Sequence, residues 1–240
     1  AIPTRSAATI QNGSGGVAAA WAEENSRDSI FEALKRKETY GTSGTRPIVR
    51  FFGGWNFEPN DCQTNFVSKG YAQGVPMGGD LKKGSPGRAP TFAVSALQDP
   101  GTPAQAGTPL AKVQIVKGWV DAEEGFAQVV YDVAGGANDA DVDPATCTPR
   151  GEGHESLCAV WTDPDFDPEQ NAVYYVRVLE NPSCRWTARQ CLELPADARP
   201  AACRDPKIPT TIQERLWTSP IWYEAPAAAA TNSVPGTTPS

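Results

Sequence analysis

Chemistry in this chain has to start from a single imidazole. His154 is the only histidine in 240 residues. A catalytic zinc normally takes several imidazole or thiolate ligands, and a hydrolytic triad needs an imidazole base. His154 also stands among Gly151, Gly153 and the nearby Cys147 and Cys158, a setting that predicts an exposed loop. Function is therefore expected in binding, in carboxylate chemistry, or in support of a site supplied by other polypeptide.

Carboxylates are the next candidates. Asp139, Asp141 and Asp143 alternate, as do Asp163, Asp165 and Asp167, and three such groups can chelate calcium. A helix–loop–helix calcium site needs Gly at its sixth place and Glu at its twelfth. Pro144 and Pro168 hold the sixth place here, Arg150 and Tyr174 the twelfth. The specific motif is absent, and a looser calcium loop competes with plain turns held by Asp-Pro steps. The Gly74–Gly84 stretch looks like a phosphate cradle but lacks the Gly-Lys-Ser/Thr ending, so it reads as a turn-rich loop entering the next strand. Seven Trp, six Tyr and eight Phe could stack on sugar rings. Trp119, Tyr174, Tyr175 and Trp222, however, lie in or beside apolar strands, where core packing explains them.

The cysteines are Cys62, Cys147, Cys158, Cys184, Cys191 and Cys203. No Cys-x-x-Cys pair supports a zinc reading, and an even count suggests disulfides without fixing which of 15 pairings holds. Local bridges are expected for Cys147–Cys158 and Cys184–Cys191, leaving Cys62–Cys203 to span the fold. Three bridges imply an oxidising compartment, so a periplasmic or secreted location is expected. The net charge of -7 disfavours nucleic acid or an anionic membrane as partner, and no apolar run is long enough to span a bilayer. The opening Ala1, without Met, is expected to reflect a removed leader or a piece of a longer protein.

The elements that must position these groups are mostly strands. Residues 1–16 read as a flexible arm. A helix starts near Asn25-Ser26, with Asp28 in its first turn, an apolar stripe at Ile30, Phe31 and Leu34, and Lys35, Arg36 and Lys37 at its end. Strands are expected at Ile48–Phe52, Ala89–Leu97, Leu110–Val120 with Phe126–Val133 as a hairpin across 121–125, Asn171–Leu179, and Leu216–Tyr223 with Pro220 at an edge. Six or more strands without helices between them predict a mainly β chain with an antiparallel sandwich-like region over 47–224. The stretch 225–240 reads as a disordered Ala/Pro/Thr tail.

The run from Trp21 to Arg46 (WAEENSRDSIFEALKRKETYGTSGTR) resembles the closing segment of a large uncharacterised bacterial family. That family is related to the polymerase-and-histidinol-phosphatase (PHP) branch of the amidohydrolase-like metal-dependent hydrolases. Further matching phrases are Arg50–Trp55, Gly74–Leu81, Val116–Trp119, Val160–Asp167, Tyr174–Cys184 and Ile212–Tyr223. The resemblance implies a distorted β/α barrel that holds divalent zinc, manganese or iron through His and Asp, followed by a β-rich C-terminal region. Its metal motifs, including a final Asp-x-His, lie upstream of the segment that Trp21 begins, so no metal ligand transfers to this chain.

On that reading residues 17–46 supply the last barrel helix and adjoining strand, and the chain pairs with the N-terminal barrel portion of the same protein. A homo-oligomer is a further possibility. Glu23, Glu24, Asn25, Arg46, Asp163, Asp165 and Asp167 are the expected rim residues. The chain alone is expected to bind no cofactor and to be inactive. The alternative is an independent secreted β-sandwich that binds carbohydrate or protein without catalysis.

Overall fold

The computed structural model describes residues 15–84, 87–103, 105–121 and 125–226. The expected arm and tail lie outside these residues, apart from Gly15, Gly16, Ala225 and Pro226. So do residues 122–124 of the expected hairpin turn. In chain order the described elements begin with β1 (Val17–Ala20), α1 (Arg27–Lys35), β2 (Thr39–Thr42), β3 (Ile48–Gly54), α2 (Phe66–Gln73), β4 (Gly74–Pro76) and β5 (Asp80–Leu81). Then come β6 (Thr91–Leu97), β7 (Leu110–Asp121), β8 (Gly125–Gly135), β9 (Asp141–Asp143), β10 (Thr148–Arg150) and β11 (Ser156–Thr162). The last are β12 (Ala172–Cys184), α3 (Trp186–Glu193), β13 (Thr211–Thr218) and β14 (Ile221–Tyr223).

The strands form two main sheets and a small β9–β10 hairpin. The larger sheet is organised around β12, the thirteen-residue strand. β7 lies along one side of it, continuing to β8, while β13 and β14 share the other side. β2 and β1 extend the sheet beyond β13, and β5 joins β14 in its parallel pair. The smaller antiparallel sheet runs β11-β6-β3-β4. Alternation does the rest. Val49 and Phe51 from the small sheet meet Val113, Ile115, Tyr174, Val176, Leu216 and Ile221 from the large one in a single core. The chain is mainly β with antiparallel sheets, as expected.

Two elements depart from the expectation that helices would be missing between strands. α2 covers the outer face of the small sheet, where Phe52 meets Phe66 and Tyr71 edge-on. Gly70 hides this helix in the sequence, because glycine is a poor mid-helix residue. Here the glycine is needed: a Cβ at Gly70 would lie 2.5 Å from the Phe52 ring. α3 is short and is tied to the turn at Ala201–Arg204 by a disulfide.

All three expected cysteine pairs are replaced. The bridges are Cys62–Cys158, Cys147–Cys184 and Cys191–Cys203. Leu157 points into the core, so strand alternation turns Cys158 to the outer face of the small sheet, where the turn at Pro59–Cys62 packs. Cys147, in the left-handed backbone region (φ 56°), closes the β9–β10 hairpin against the end of β12 at Cys184. Sequence proximity misled because β10 and the following loop carry Cys158 away from Cys147.

α1 forms as its residues dictate. Ser26 caps it by accepting a hydrogen bond from Ser29 N (3.3 Å), Asp28 sits in the first turn, and Lys35 ends it. Of its side chains Ala33 is the buried one. β1 and β2, inside the segment expected to complete a barrel, are hydrogen-bonded into the large sheet through β13. The Gly74–Leu81 loop divides into β4, a turn at Met77–Gly79 and β5. Gly78 there adopts φ +87°, with Lys37 O where a side chain would sit, and its N–H donates to Pro220 O (2.9 Å). Pro220 separates β13 from β14, so the expected last strand is two.

Candidate functional site

One end of the sandwich holds a buried polar centre. Lys117, at a core-facing position of β7, and Asp163, just after β11, form an ion pair of 2.7 Å with side chains 4% and 0% exposed. Tyr174 of β12 donates its hydroxyl to Asp163 Oδ2 (2.7 Å), and Asp165 N donates to Asp163 Oδ1 (3.0 Å). The Lys117 ammonium also donates to Asp165 O (2.6 Å), and the Tyr131 hydroxyl donates to Asp165 Oδ2 (2.7 Å). Burial, followed by the neighbouring carboxylates, drives both phenols well above their ordinary range. They stay protonated donors at any physiological pH. Both oxygens of Asp163 are occupied, so the centre orients the 163–169 loop and is not poised for proton transfer.

Above it lies a cleft of about 440 Å³ lined by Trp55, Arg88, Asp163, Phe166, Glu169 and Tyr223 among others. Trp55, Phe166 and Tyr223 pack edge-on, with centroids 4.9–6.3 Å apart. The Trp55 indole N–H donates to Lys82 O (2.7 Å). An aromatic wall beside ionic side chains can bind a small organic ligand.

The expected rim residues are not gathered here. Asp163, Asp165 and Asp167 belong to the cleft loop. Glu23 and Glu24 lie exposed in the turn before α1, their backbone N–H groups donating to Ser29 Oγ (3.1 and 3.3 Å); Asn25 is exposed beside them. Arg46 is exposed after β2, and its N–H donates to Asp99 Oδ2 (2.8 Å). His154 is exposed, and its backbone pairs with Leu110.

Two further carboxylates, Glu38 and Glu180, were not among the sequence candidates. Glu38, buried after α1, pairs with Arg50 (3.0 Å) and accepts from the Tyr71 hydroxyl. Arg50 stacks on Trp21, 3.3 Å from the ring centroid. Glu180 is 1% exposed, in the core-facing phase of β12 after Ala172, Tyr174, Val176 and Val178. That phase was the available signal: a charged residue continuing an inward-facing apolar row. Six residues separate Tyr174 from Glu180, so the two ends are about 20 Å apart along the strand.

Neither acidic run is arranged for calcium. Asp143 pairs with Arg150 (2.5 Å) and accepts from Ala145 N (2.9 Å), and Asp167 accepts from Glu169 N (2.8 Å). These are the self-bonded turns that aspartate favours. Among the described residues no group of three or more His, Cys, Asp or Glu is placed to hold a metal ion. The described residues do not fit a metal, so none is assigned to them. No described helix is long and apolar enough to cross a membrane.

A family model described as protein of unknown function DUF3604 matches residues 3–225. The chain belongs to this family. Neither the curated proteins nor the solved structures contain a match to it.

The apolar side chains open to solvent among the described residues include two sets of large ones. On α1, Ile30, Phe31 and Leu34 are 37%, 61% and 55% exposed. On the large sheet Phe126, Trp217 and Trp222 are also exposed. Trp222 faces outward because it pairs with Val173, between the inward Ala172 and Tyr174. Core packing therefore accounts for Tyr174 and not for Trp222.

Proposed function

We propose that this chain is the β-rich, non-metal-binding C-terminal portion of an exported metal-dependent hydrolase-like protein of the PHP kind, where it completes and buttresses the barrel. The observation that carries this reading is the apolar face of α1. Burying a large aliphatic or aromatic side chain is worth about 1.5–3 kcal/mol, yet Phe31 and Leu34 remain largely open. An exposed cluster of this kind on a capped, well-formed helix marks a contact surface. Its occupant is the N-terminal barrel portion of the same protein, whose His and Asp would hold zinc, manganese or iron. When bound, such a metal supplies an activated water for hydrolysis of a phosphoester, ester or amide. This chain contributes the helix and the rigid, disulfide-braced sheets behind it. The three bridges support a periplasmic or secreted location.

A second reading rests on Phe126, Trp217 and Trp222. Outward-facing aromatics on a sheet suit a carbohydrate- or protein-binding module without catalysis. Metal analysis together with a hydrolase substrate screen separates the two. The barrel-bearing protein loaded with metal should turn over substrate, while the 240-residue chain alone should hold no stoichiometric transition metal. Firm metal content or turnover in the isolated chain would overturn the first reading.

A further inference from the structure

The end of the sandwich opposite the cleft carries a carboxyl group that the proposed function does not use. Glu180 points inward from β12 at a register shift in its pairing with β7, and neither of its oxygens completes a hydrogen bond of good geometry. Buried polar groups are almost always paired, so an orphaned carboxyl calls for a reason. Thr45 stands beside it in the turn between β2 and β3, and the Thr45 hydroxyl is likewise buried without a completed hydrogen bond.

That turn is laced down by other acids. The Ser43 hydroxyl donates to Glu214 of β13, and Ser43 N donates to Arg215 O (2.9 Å). Arg46 N donates to Asp99, in the loop after β6 (2.8 Å). Glu214 and Asp99 are the charged groups acting on Glu180, and both oppose its ionisation. Arg185 and Arg189 line a cavity of about 250 Å³ together with Thr45 and Glu214. His154, whose backbone pairs with Leu110 opposite Glu180, is exposed.

From this geometry we infer a proton-operated latch: with Glu180 protonated the Thr42–Arg46 turn stays closed over the end of the core, and with Glu180 ionised three carboxylates crowd beneath the turn and it opens. Opening lets water reach Glu180 and frees the wall that Gly44 and Thr45 give to the adjoining cavity. The latch needs no ligand and does not depend on the hydrolase reading.

The sign follows from linkage. Desolvation raises the closed-state carboxyl, the Thr45 hydroxyl beside it partly offsets this, and Glu214 and Asp99 add to the rise, carrying it from 4.5 to about 7. A proton held more tightly in the closed form stabilises closure fully below about pH 4.5, and this stabilisation is lost as pH rises toward 7. The opening equilibrium should rise about tenfold per pH unit within that window and level off above it.

Amide hydrogen exchange of residues 42–46 in the full 240-residue chain, corrected for intrinsic rates, reads this directly. The wild type should show the rise and the plateau. Glu180→Gln should abolish the rise while keeping the turn protected at pH 8. Glu214→Gln should move the plateau to lower pH. A Glu180→Gln profile that keeps the wild-type rise, or a wild-type profile flat from pH 4.5 to 7, would overturn the latch.

Discussion

Lys117 and Glu180 each put a charge into the core, and their surroundings give them opposite consequences. Lys117 has Asp163 at 2.7 Å and the Asp165 carbonyl beside it, so the charge is compensated. Removing one partner of such a buried pair strands the other, at a cost of about 3–5 kcal/mol. Asp163→Asn should therefore lower the melting temperature by about 10 °C, measured by calorimetry. The double variant Lys117→Met/Asp163→Leu should recover much of the loss, because no charge is left unpaired. Glu180 lacks a compensating partner. With its folded value raised to about 7, stability is full below about pH 4.5 and falls as pH rises toward 7. Glu180→Gln should then raise stability at pH 8, by at most on the order of 3 kcal/mol because opening of the Thr42–Arg46 turn relieves part of the cost, read from urea denaturation, and flatten the wild-type decline across that interval.

Among the elements, the disulfides grade themselves by the loop each closes. Cys62–Cys158 spans a separation of 96 residues and Cys191–Cys203 one of 12. The longer closure restrains the unfolded chain more, by about 1.8 kcal/mol on loop-entropy grounds. Cys62→Ser/Cys158→Ser should melt earlier than Cys191→Ser/Cys203→Ser; the reverse order would show that strain or residual structure dominates. The strands that pack these bridges were legible in the sequence wherever alternation was strong. β3, β6 and the β7–β8 hairpin lie where Ile48–Phe52, Ala89–Leu97, Leu110–Val120 and Phe126–Val133 place them, and β12 starts within NAVYYVRVL but runs past the expected stop at Asn181-Pro182 to Cys184. The capped α1 was legible too. β1, β2 and β5 were not, because two- to four-residue pairings draw on distant partners and carry little period of their own. α2 was masked by Gly70, and the cysteine partners by strand facing, which decides where Cys158 points. Of the site, the Asp163 loop was visible, whereas Lys117 reads in sequence as an ordinary charge in V-K-G-W. Its meaning depends on Asp163 arriving from another strand.

At the scale of the whole molecule, two sheets share one core and α1 is left with its apolar stripe facing out. Substitutions on that stripe should leave the isolated chain almost unchanged: Phe31→Asp is expected to alter its stability by no more than about 0.5 kcal/mol, the range of ordinary surface changes. On the proposed reading, the same change in the barrel-bearing protein should weaken the union of the two parts, since a charge would enter an apolar contact. Hydrogen exchange of residues 27–35, compared between the 240-residue chain and a longer protein carrying the proposed N-terminal barrel portion, distinguishes a docked α1 from a free one. Docking predicts clear extra protection of α1 in the longer protein, lost on Phe31→Asp; equal exchange in the two would contradict it.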